Sequence, residues 1–193
     1  AVVHRLAGAL GDVVLDDGGD HRGLLAEVDR AGGHDAGGVA EVEVAADARQ
    51  RLLFCLLLDH GLRVGEIALL EARHFDMSRY GELRFYRPKV DKEQRHKLSI
   101  DTVTAADAYL ALAPAIGPIF PGTRQLNRLV AAAGEALGLS PLSPHDCRHC
   151  WASRASAAKT PIKALQDAGG WSSPAMPLRY TASAEIANEG VRL

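Results

Sequence analysis

The 193-residue sequence predicts a mainly α, α+β domain in which packed helices accompany a small antiparallel β-sheet. Three observations predict this class. Apolar segments begin at helix-capping residues and end at glycine or proline. Two short apolar segments joined by a polar turn have the pattern of a β-hairpin. With 47% hydrophobic residues, the chain is also long enough for one domain with a substantial core.

The first 46 residues differ from the rest of the sequence. They contain nine glycines but no lysine and no aromatic residue, and paired glycines interrupt any helical or strand period. We therefore assign them no fold and interpret them as a flexible lead-in or a stretch read out of frame. Residues 47–193 are predicted to form the folded domain.

The elements of that domain follow from local signals. Asp47 and Gln50 have the spacing of a capping box before a strongly apolar helix that Gly61 ends. Glu66 lies three residues after Arg63, within reach of its guanidinium at the start of the next helix. The elements predicted up to residue 137 are helices over 47–60, 64–70, 102–112 and 123–137 and strands over 83–86 and 97–100.

The last third of the sequence predicts a charged helical face. Ser143 is a good N-cap and Pro144 a good first helical residue, so His145, Arg148 and His149 fall at i, i+3 and i+4 on one face. Another helix is predicted to start at 160–161 and to end at 169–170, and a final one to start near residue 173. Two imidazoles and a guanidinium are expected to share one patch.

Charge is distributed unevenly along the chain. Residues 1–47 carry 3 arginines and 10 acidic residues, a net charge of −7, whereas the remainder carries 19 basic and 14 acidic residues, a net charge of +5. The basic character therefore belongs to the predicted domain, which is compatible with a nucleic-acid partner but is a weak signal alone.

Cysteine usage and hydropathy exclude several classes of protein. Three cysteines are too few for a disulfide scaffold and favour a reducing compartment. Cys147 and Cys150 form a CxxC pair, but without a second pair we interpret them as ordinary helix positions and expect no metal. The longest apolar run, over 52–58, has seven residues against about 20 needed to cross a bilayer, so we expect a cytoplasmic protein without membrane contact.

From residue 47 to about residue 185, the sequence resembles the tyrosine recombinase (phage integrase) family. The resemblance rests on five motifs that occur in order. A single matching motif would not support it. The segment HGLRVGE at 60–66 is similar to the family's first arginine box, with Arg63 as the arginine. Lys89 looks like the hairpin lysine, and HDCR at 145–148 like the His-x-x-Arg box. Trp171 matches the later His-or-Trp position and Tyr180 the nucleophile.

The resemblance implies DNA strand cleavage without a cofactor or metal. Tyr180 would attack the scissile phosphorus and form a 3′-phosphotyrosyl bond. Arg63 and Arg148 would hold the nonbridging oxygens, and Lys89 would protonate the departing 5′ oxygen. Three more residues have implied roles: His145 accepts the tyrosine proton or binds the phosphate, Trp171 donates one hydrogen bond, and His149 supports the site rather than carrying a proton.

The family resemblance also implies double-stranded DNA and further copies of the chain as partners, as a tetramer on DNA. Residues 183–193 are expected either to form a short helix that docks on a neighbouring copy or to be a frayed terminus. Two departures leave an alternative open, a noncatalytic DNA-binding remnant of a recombinase. Pro177 interrupts the helix expected to carry Tyr180, and residues 1–46 do not resemble the family's usual N-terminal helical domain.

Overall fold

The computed structural model describes residues 36–78, 81–139 and 141–181, with side chains from Asp47 onward. The predictions for residues 1–35 and 183–193 lie outside these ranges. The α-helices of the described part are α1 (Ala36–Leu58), α2 (Val64–Ile67), α3 (Ile100–Leu110), α4 (Thr123–Ala136), α5 (Pro144–Ala157), α6 (Ile162–Gly169) and α7 (Ala175–Leu178). The strands are β1 (Phe75–Asp76), β2 (Glu82–Arg87) and β3 (Lys92–Lys97), and short 3₁₀ turns span Ala72–His74 and Pro88–Val90.

The predicted fold class is confirmed, because helices predominate and the three strands form one antiparallel sheet in the order β1-β2-β3. The register of β2 and β3 places Leu83 opposite His96 and Phe85 opposite Gln94. Strand β3 was predicted too late in the chain, at 97–100. It runs instead through the charged segment KEQRHK, whose side chains are exposed or only partly buried, so no apolar alternation marks it.

Helix α1 begins before its predicted start. Asp47 does not cap it, because the helix passes through this residue from Ala36. Residues 39–46, with the sequence VAEVEVAA, contain neither glycine nor proline to stop a helix. The division of the chain into a lead-in over 1–46 and a domain over 47–193 stays a prediction.

The core lies around α1, which packs against α3 and α5. Leu52, Leu53, Leu56 and Leu57 are fully buried. Beyond the end of α1, Gly61 has a φ of +60°, and the ring of Trp151 occupies the space where a side chain would project. Glycine is therefore required here by both the backbone and the packing, and its carbonyl is left directed at the candidate site.

The predicted capping of α5 is confirmed. The Ser143 hydroxyl accepts from the Asp146 backbone N–H at 3.3 Å, and the Asp146 carboxylate accepts from the Ser143 N–H at 2.9 Å. Helix α6 ends at Gly169, and Gly170 follows in the left-handed conformation that closes it. These two helix ends bring α5 and the 169–171 turn together around the candidate site. No helix in the described ranges is long and apolar enough to span a membrane.

Candidate active site

Arg63 lies at the entrance of the site, just before α2. Its Nη1 donates to Glu66 Oε1 at 2.8 Å, and its backbone N–H donates to Glu66 Oε2 at 2.9 Å. The predicted contact between these two residues is therefore confirmed. The Glu66 side chain is 3% exposed and that of Arg63 is 23% exposed. A buried carboxylate thus fixes a guanidinium that still faces solvent.

Arg148 lies deeper, on the inner side of α5. It is 4% exposed, and its two Nη atoms donate to the carbonyls of Gly61 and Gly169. Burial lowers the Arg148 pKa to about 10, and the nearby Arg63 and Arg87 charges add to that effect. The guanidinium remains charged at neutral pH, and its other N–H groups are not used by these carbonyls.

Arg87 is a third arginine of the site, and the sequence analysis did not find it. It lies on β2 and is fully buried. Its Nη2 donates to the Ala168 carbonyl at 2.7 Å and its Nη1 to the Gly169 carbonyl. Its Nε lies 3.8 Å from Glu66 Oε1, an ion pair rather than a hydrogen bond. Burial lowers the Arg87 pKa to about 10.

The signal that would have found Arg87 is the alternation of β2. Leu83, Phe85 and Arg87 occupy successive inward positions of this strand, so the arginine stands where a third apolar residue is expected. A charge on the buried face of a strand requires partners from another element. Here the partners are Glu66 and the end of α6. We call Arg63, Glu66, Arg87 and Arg148, with the carbonyls of residues 168–170, the arginine cluster.

Trp171 contacts both an arginine of the cluster and the tyrosine. The Arg148 guanidinium lies 4.7 Å from the Trp171 ring centroid, and the Tyr180 ring centroid lies 5.9 Å from it, tilted by 32°. The ring is partly buried and packs with Trp151, 6.0 Å away. These ring contacts make Trp171 a packing residue that sets the spacing between Arg148 and Tyr180.

Tyr180 contacts the histidines of α5. Its hydroxyl lies 2.8 Å from His149 Nδ1, and His149 Nε2 lies 2.8 Å from His145 Nε2. The predicted patch is thus formed by the two imidazoles, whereas Arg148 points inward and is buried. Burial lowers the His149 pKa and raises the Tyr180 pKa.

Pro177 does not disrupt the tyrosine-bearing segment in the way that its sequence position suggested. Helix α7 begins at Ala175, so Pro177 occupies its first turn, where a backbone N–H has no partner within the helix. The Pro177 carbonyl accepts from the Tyr180 N–H at 3.0 Å. The backbone at Pro177 therefore takes part in the turn that presents Tyr180.

Lys89 is not brought to the other site residues. It is exposed in the 3₁₀ turn Pro88–Val90 at the tip of the β2–β3 hairpin. Among the described residues it makes no hydrogen bond or ion pair. Of the six predicted site residues, the structure therefore gathers five in one region, and Lys89 stands apart from them. The five are Arg63, His145, Arg148, Trp171 and Tyr180.

The CxxC pair lies on the inner face of α5. Cys147 and Cys150 are both buried, and burial raises the Cys147 pKa to about 12. Neutral thiols in an apolar environment pack as small hydrophobic side chains. Among the described residues, no group of three or more histidines, cysteines or carboxylates is placed to hold a metal ion.

Known proteins similar to this chain share its sequence pattern and its fold. The profile of the phage integrase family matches residues 39–186. The tyrosine recombinase XerC of Haemophilus ducreyi (strain 35000HP / ATCC 700724) is 31% identical over 153 residues, which cover 73% of this chain and 50% of that protein. The chain therefore spans about half the length of this curated relative.

Two solved structures have the same fold. The crystal structure of the XerA recombinase has a TM-score of 0.62 at 21% identity, over 82% of this chain and 63% of that one. The XerH site-specific recombinase, bound to its difH substrate in a pre-cleavage complex, has a TM-score of 0.66 at 16% identity, over 95% and 50% of the two chains. Together with the profile match over most of its length, these likenesses show that the chain belongs to the phage integrase family, the tyrosine recombinases.

Proposed function

We propose that this chain is the catalytic part of a site-specific DNA recombinase that cuts and rejoins strands through a 3′-phosphotyrosyl intermediate on Tyr180. The observation that carries the proposal is that Arg148 and Tyr180 both contact the Trp171 ring. A phenol and a guanidinium that contact one ring can reach the same phosphodiester, one as nucleophile and the other as electrostatic support.

The arginine cluster supplies the electrostatic part of this mechanism. Attack on phosphorus increases the negative charge on the nonbridging oxygens, and Arg63 and Arg148 offer planar, permanently charged donors to them. Their contacts with Glu66 and with backbone carbonyls fix both guanidiniums before DNA arrives. Preorganised donors of this kind need no reorganisation during the reaction, which is the source of their catalytic effect.

The bond changes balance without a cofactor or metal. The Tyr180 oxygen forms a bond to phosphorus as the bond from phosphorus to the 5′ oxygen breaks. The tyrosine proton passes to the histidines at its side, His145 being the residue that the family motif identifies. Lys89 protonates the departing 5′ oxygen, and the reverse sequence on a new 5′ hydroxyl rejoins the strand. For this step the hairpin tip must move toward the arginines when DNA binds.

The proposed partners are double-stranded DNA and further copies of this chain, as a tetramer on DNA in the cytoplasm. The net charge of +5 over residues 48–193 favours association with a polyanion. The structure of the Tn1549 transposon integrase in complex with a circular intermediate DNA supports DNA as the substrate class, because the two chains share a fold. Exchange of strands between two duplexes requires more than one nucleophile, which is the reason for assembly.

Covalent trapping tests the proposal. The full chain is incubated with nicked duplexes cut from the DNA flanking its gene, so that the released fragment diffuses away and the adduct accumulates. We expect a protein–DNA adduct that survives denaturation and is absent with Tyr180→Phe. Gel-shift binding is measured on the same duplexes.

Binding without an adduct would instead support the noncatalytic DNA-binding remnant. Failure of both binding and cleavage on every flanking duplex would contradict the proposal. The two functions also differ in their response to Arg148→Ala, which abolishes cleavage in a recombinase but only weakens salt-dependent binding in a remnant.

A further inference from the structure

Tyr180, His149 and His145 form a continuous line of hydrogen-bonding groups from the interior to solvent. The Tyr180 hydroxyl and the His149 ring are partly buried, whereas His145 is exposed. The Tyr180 hydroxyl oxygen lies 2.8 Å from His149 Nδ1, and His149 Nε2 lies 2.8 Å from His145 Nε2. The line joins two elements, because both histidines lie one turn apart on α5 and the tyrosine follows α7.

One arrangement of protons satisfies both contacts while Tyr180 keeps its own proton. The hydroxyl donates to His149 Nδ1, so His149 carries its proton on Nε2. That N–H donates to His145 Nε2, so His145 carries its proton on Nδ1, where its exposed ring meets water. Movement of each proton along its hydrogen bond reverses the direction of both contacts and leaves a phenolate at Tyr180.

We propose that His149 is the immediate proton acceptor for Tyr180 and that His145 passes the proton on to solvent. This inference rests on the proposed function. The Tyr180 oxygen gains its bond to phosphorus and gives its proton to His149 Nδ1. His149 releases its Nε2 proton to His145 Nε2, and the resulting His145 imidazolium releases its Nδ1 proton to water. The sequence analysis had assigned His149 a supporting role only.

The geometry separates the parts played by the two histidines. The hydroxyl contacts His149, and His145 contacts only the far nitrogen of that ring. Burial lowers the His149 pKa, as does the neighbouring His145, so the ring is neutral and able to accept a proton at pH 7. Burial also raises the Tyr180 pKa, so the hydroxyl needs a base to ionise. The charged or titratable groups that act on these two rings are His145, Asp146, Arg148 and Arg179.

Single-turnover cleavage by the full-length chain tests the relay with two variants of one residue. His149→Asn keeps a polar atom near the Nδ1 position but cannot carry a proton onward. His149→Ala removes the polar atom as well as the ability to carry a proton. We expect both variants to form the adduct about 10²-fold more slowly than wild type, the usual contribution of a positioned base. Rescue by asparagine to the wild-type rate would show a merely structural role and overturn the relay. Thermal melting identifies any variant that fails to fold.

Two further readouts isolate the deprotonation step. A duplex with sulfur in place of the 5′ bridging oxygen has a leaving group that departs without protonation, since thiols are far more acidic than alcohols. The His149→Asn defect should persist on this substrate. In wild type the rate should fall at low pH as His149 becomes protonated. In the variant it should rise about tenfold per pH unit, as solvent hydroxide replaces the relay. A defect that the sulfur substrate removes would overturn the assignment.

Nitrogen-15 NMR of the histidine rings tests the contact without DNA. We expect His149 to be neutral with its proton on Nε2, and Tyr180→Phe to shift its Nδ1 signal. A proton on Nδ1, or no response to Tyr180→Phe, would overturn the relay. A wild-type chain that never forms an adduct would overturn the proposed function. A chain that cleaves equally fast with His149→Asn would overturn the relay alone.

Discussion

The arginine cluster and the β2–β3 hairpin tip are built in opposite ways. In the cluster, Arg87 and Arg148 are buried and bonded to backbone carbonyls from elements far apart in sequence. At the hairpin tip, Lys89 is exposed within a charged turn. Under the proposed function, the arginine cluster is therefore complete in the free chain, whereas Lys89 reaches the site only when DNA binds.

Under the proposed function, this difference follows from what each group must do. Electrostatic stabilisation of a phosphate requires donors whose positions are fixed in advance, and burial among carbonyls provides that rigidity. A general acid must approach a leaving group that only bound DNA supplies, so a mobile position has no cost in the free chain. The histidine–tyrosine line lies between these extremes, since it is partly buried but ends in solvent.

The largest effect is expected from removing the Arg148 guanidinium. Arg148→Ala should lower the rate of adduct formation by at least about 10³-fold, because removing a single preorganised donor costs 10²- to 10³-fold and this residue supplies several. Arg148→Lys keeps the charge but not the planar guanidinium, so it should restore little of the rate of adduct formation. Single-turnover cleavage measures both.

Arg154→Ala is the matched control for Arg148. It lies on the same helix, but its side chain is 49% exposed and pairs with Asp59 only at 4.0 Å. We expect its cleavage rate to stay within about twofold of wild type, since exposed ion pairs contribute little. Equal losses in the two variants would mean that the arginine cluster has no special role.

The second effect concerns stability. Arg87→Met should lower the free energy of unfolding by about 3 kcal/mol, because it leaves the Ala168 carbonyl without this donor and removes a partner of Glu66 from the interior. Urea unfolding measures the change. Arg84→Met, on the exposed face of the same strand, should cost less than about 0.5 kcal/mol. If the two variants lose the same free energy of unfolding, the contacts of Arg87 do not stabilise the packing of the sheet against α6.

The same contrast explains what the sequence could predict. The Arg63–Glu66 contact and the His145–His149 pair are separated by three and four residues, so helical spacing reveals them. For Arg87, the alternation of β2 indicates burial but cannot identify its carbonyl partners, which lie 81 and 82 residues away.

Strand β3 and the contact of Tyr180 were missed for related physical reasons. The sequence of β3 shows no alternation of apolar and polar residues, because its side chains are polar and largely exposed. The tyrosine meets His149 across 31 residues, because α6 packs against both α5 and α7. Family motifs named candidate site residues, but only the fold brings the Tyr180 and His149 rings together.

The third prediction tests the hairpin tip. Lys89→Ala should leave the free energy of unfolding unchanged, because the side chain is exposed. It should slow cleavage by about 10²-fold as expected for loss of a general acid. A sulfur leaving group should restore the rate, in contrast to the His149 variants. Lys92→Ala in the same hairpin should change the rate by no more than about threefold, and an equal loss there would indicate only a general contribution of charge.

The smallest effect is expected from a partly buried histidine next to the arginine cluster. His96 lies on β3 beside Phe85, and burial together with the Arg87 charge lowers the His96 pKa to about 3. In the unfolded chain this histidine takes up its proton near pH 6.5. Its contribution to stability is therefore fully present above pH 6.5 and is lost as the pH falls toward 3. We expect a loss of about 1 kcal/mol between pH 7 and pH 5, because the nearby opening admits some water.

Urea unfolding of His96→Gln at the same pH values isolates this contribution. His60 is also buried with a lowered pKa, so the variant should keep part of the pH dependence and lose the His96 share. A variant whose stability falls as steeply as that of wild type would mean that His96 is protonated in the folded chain despite the Arg87 charge. The arginine cluster would then be more hydrated than its burial indicates. The distinction between a closed cluster and an open hairpin tip would weaken accordingly.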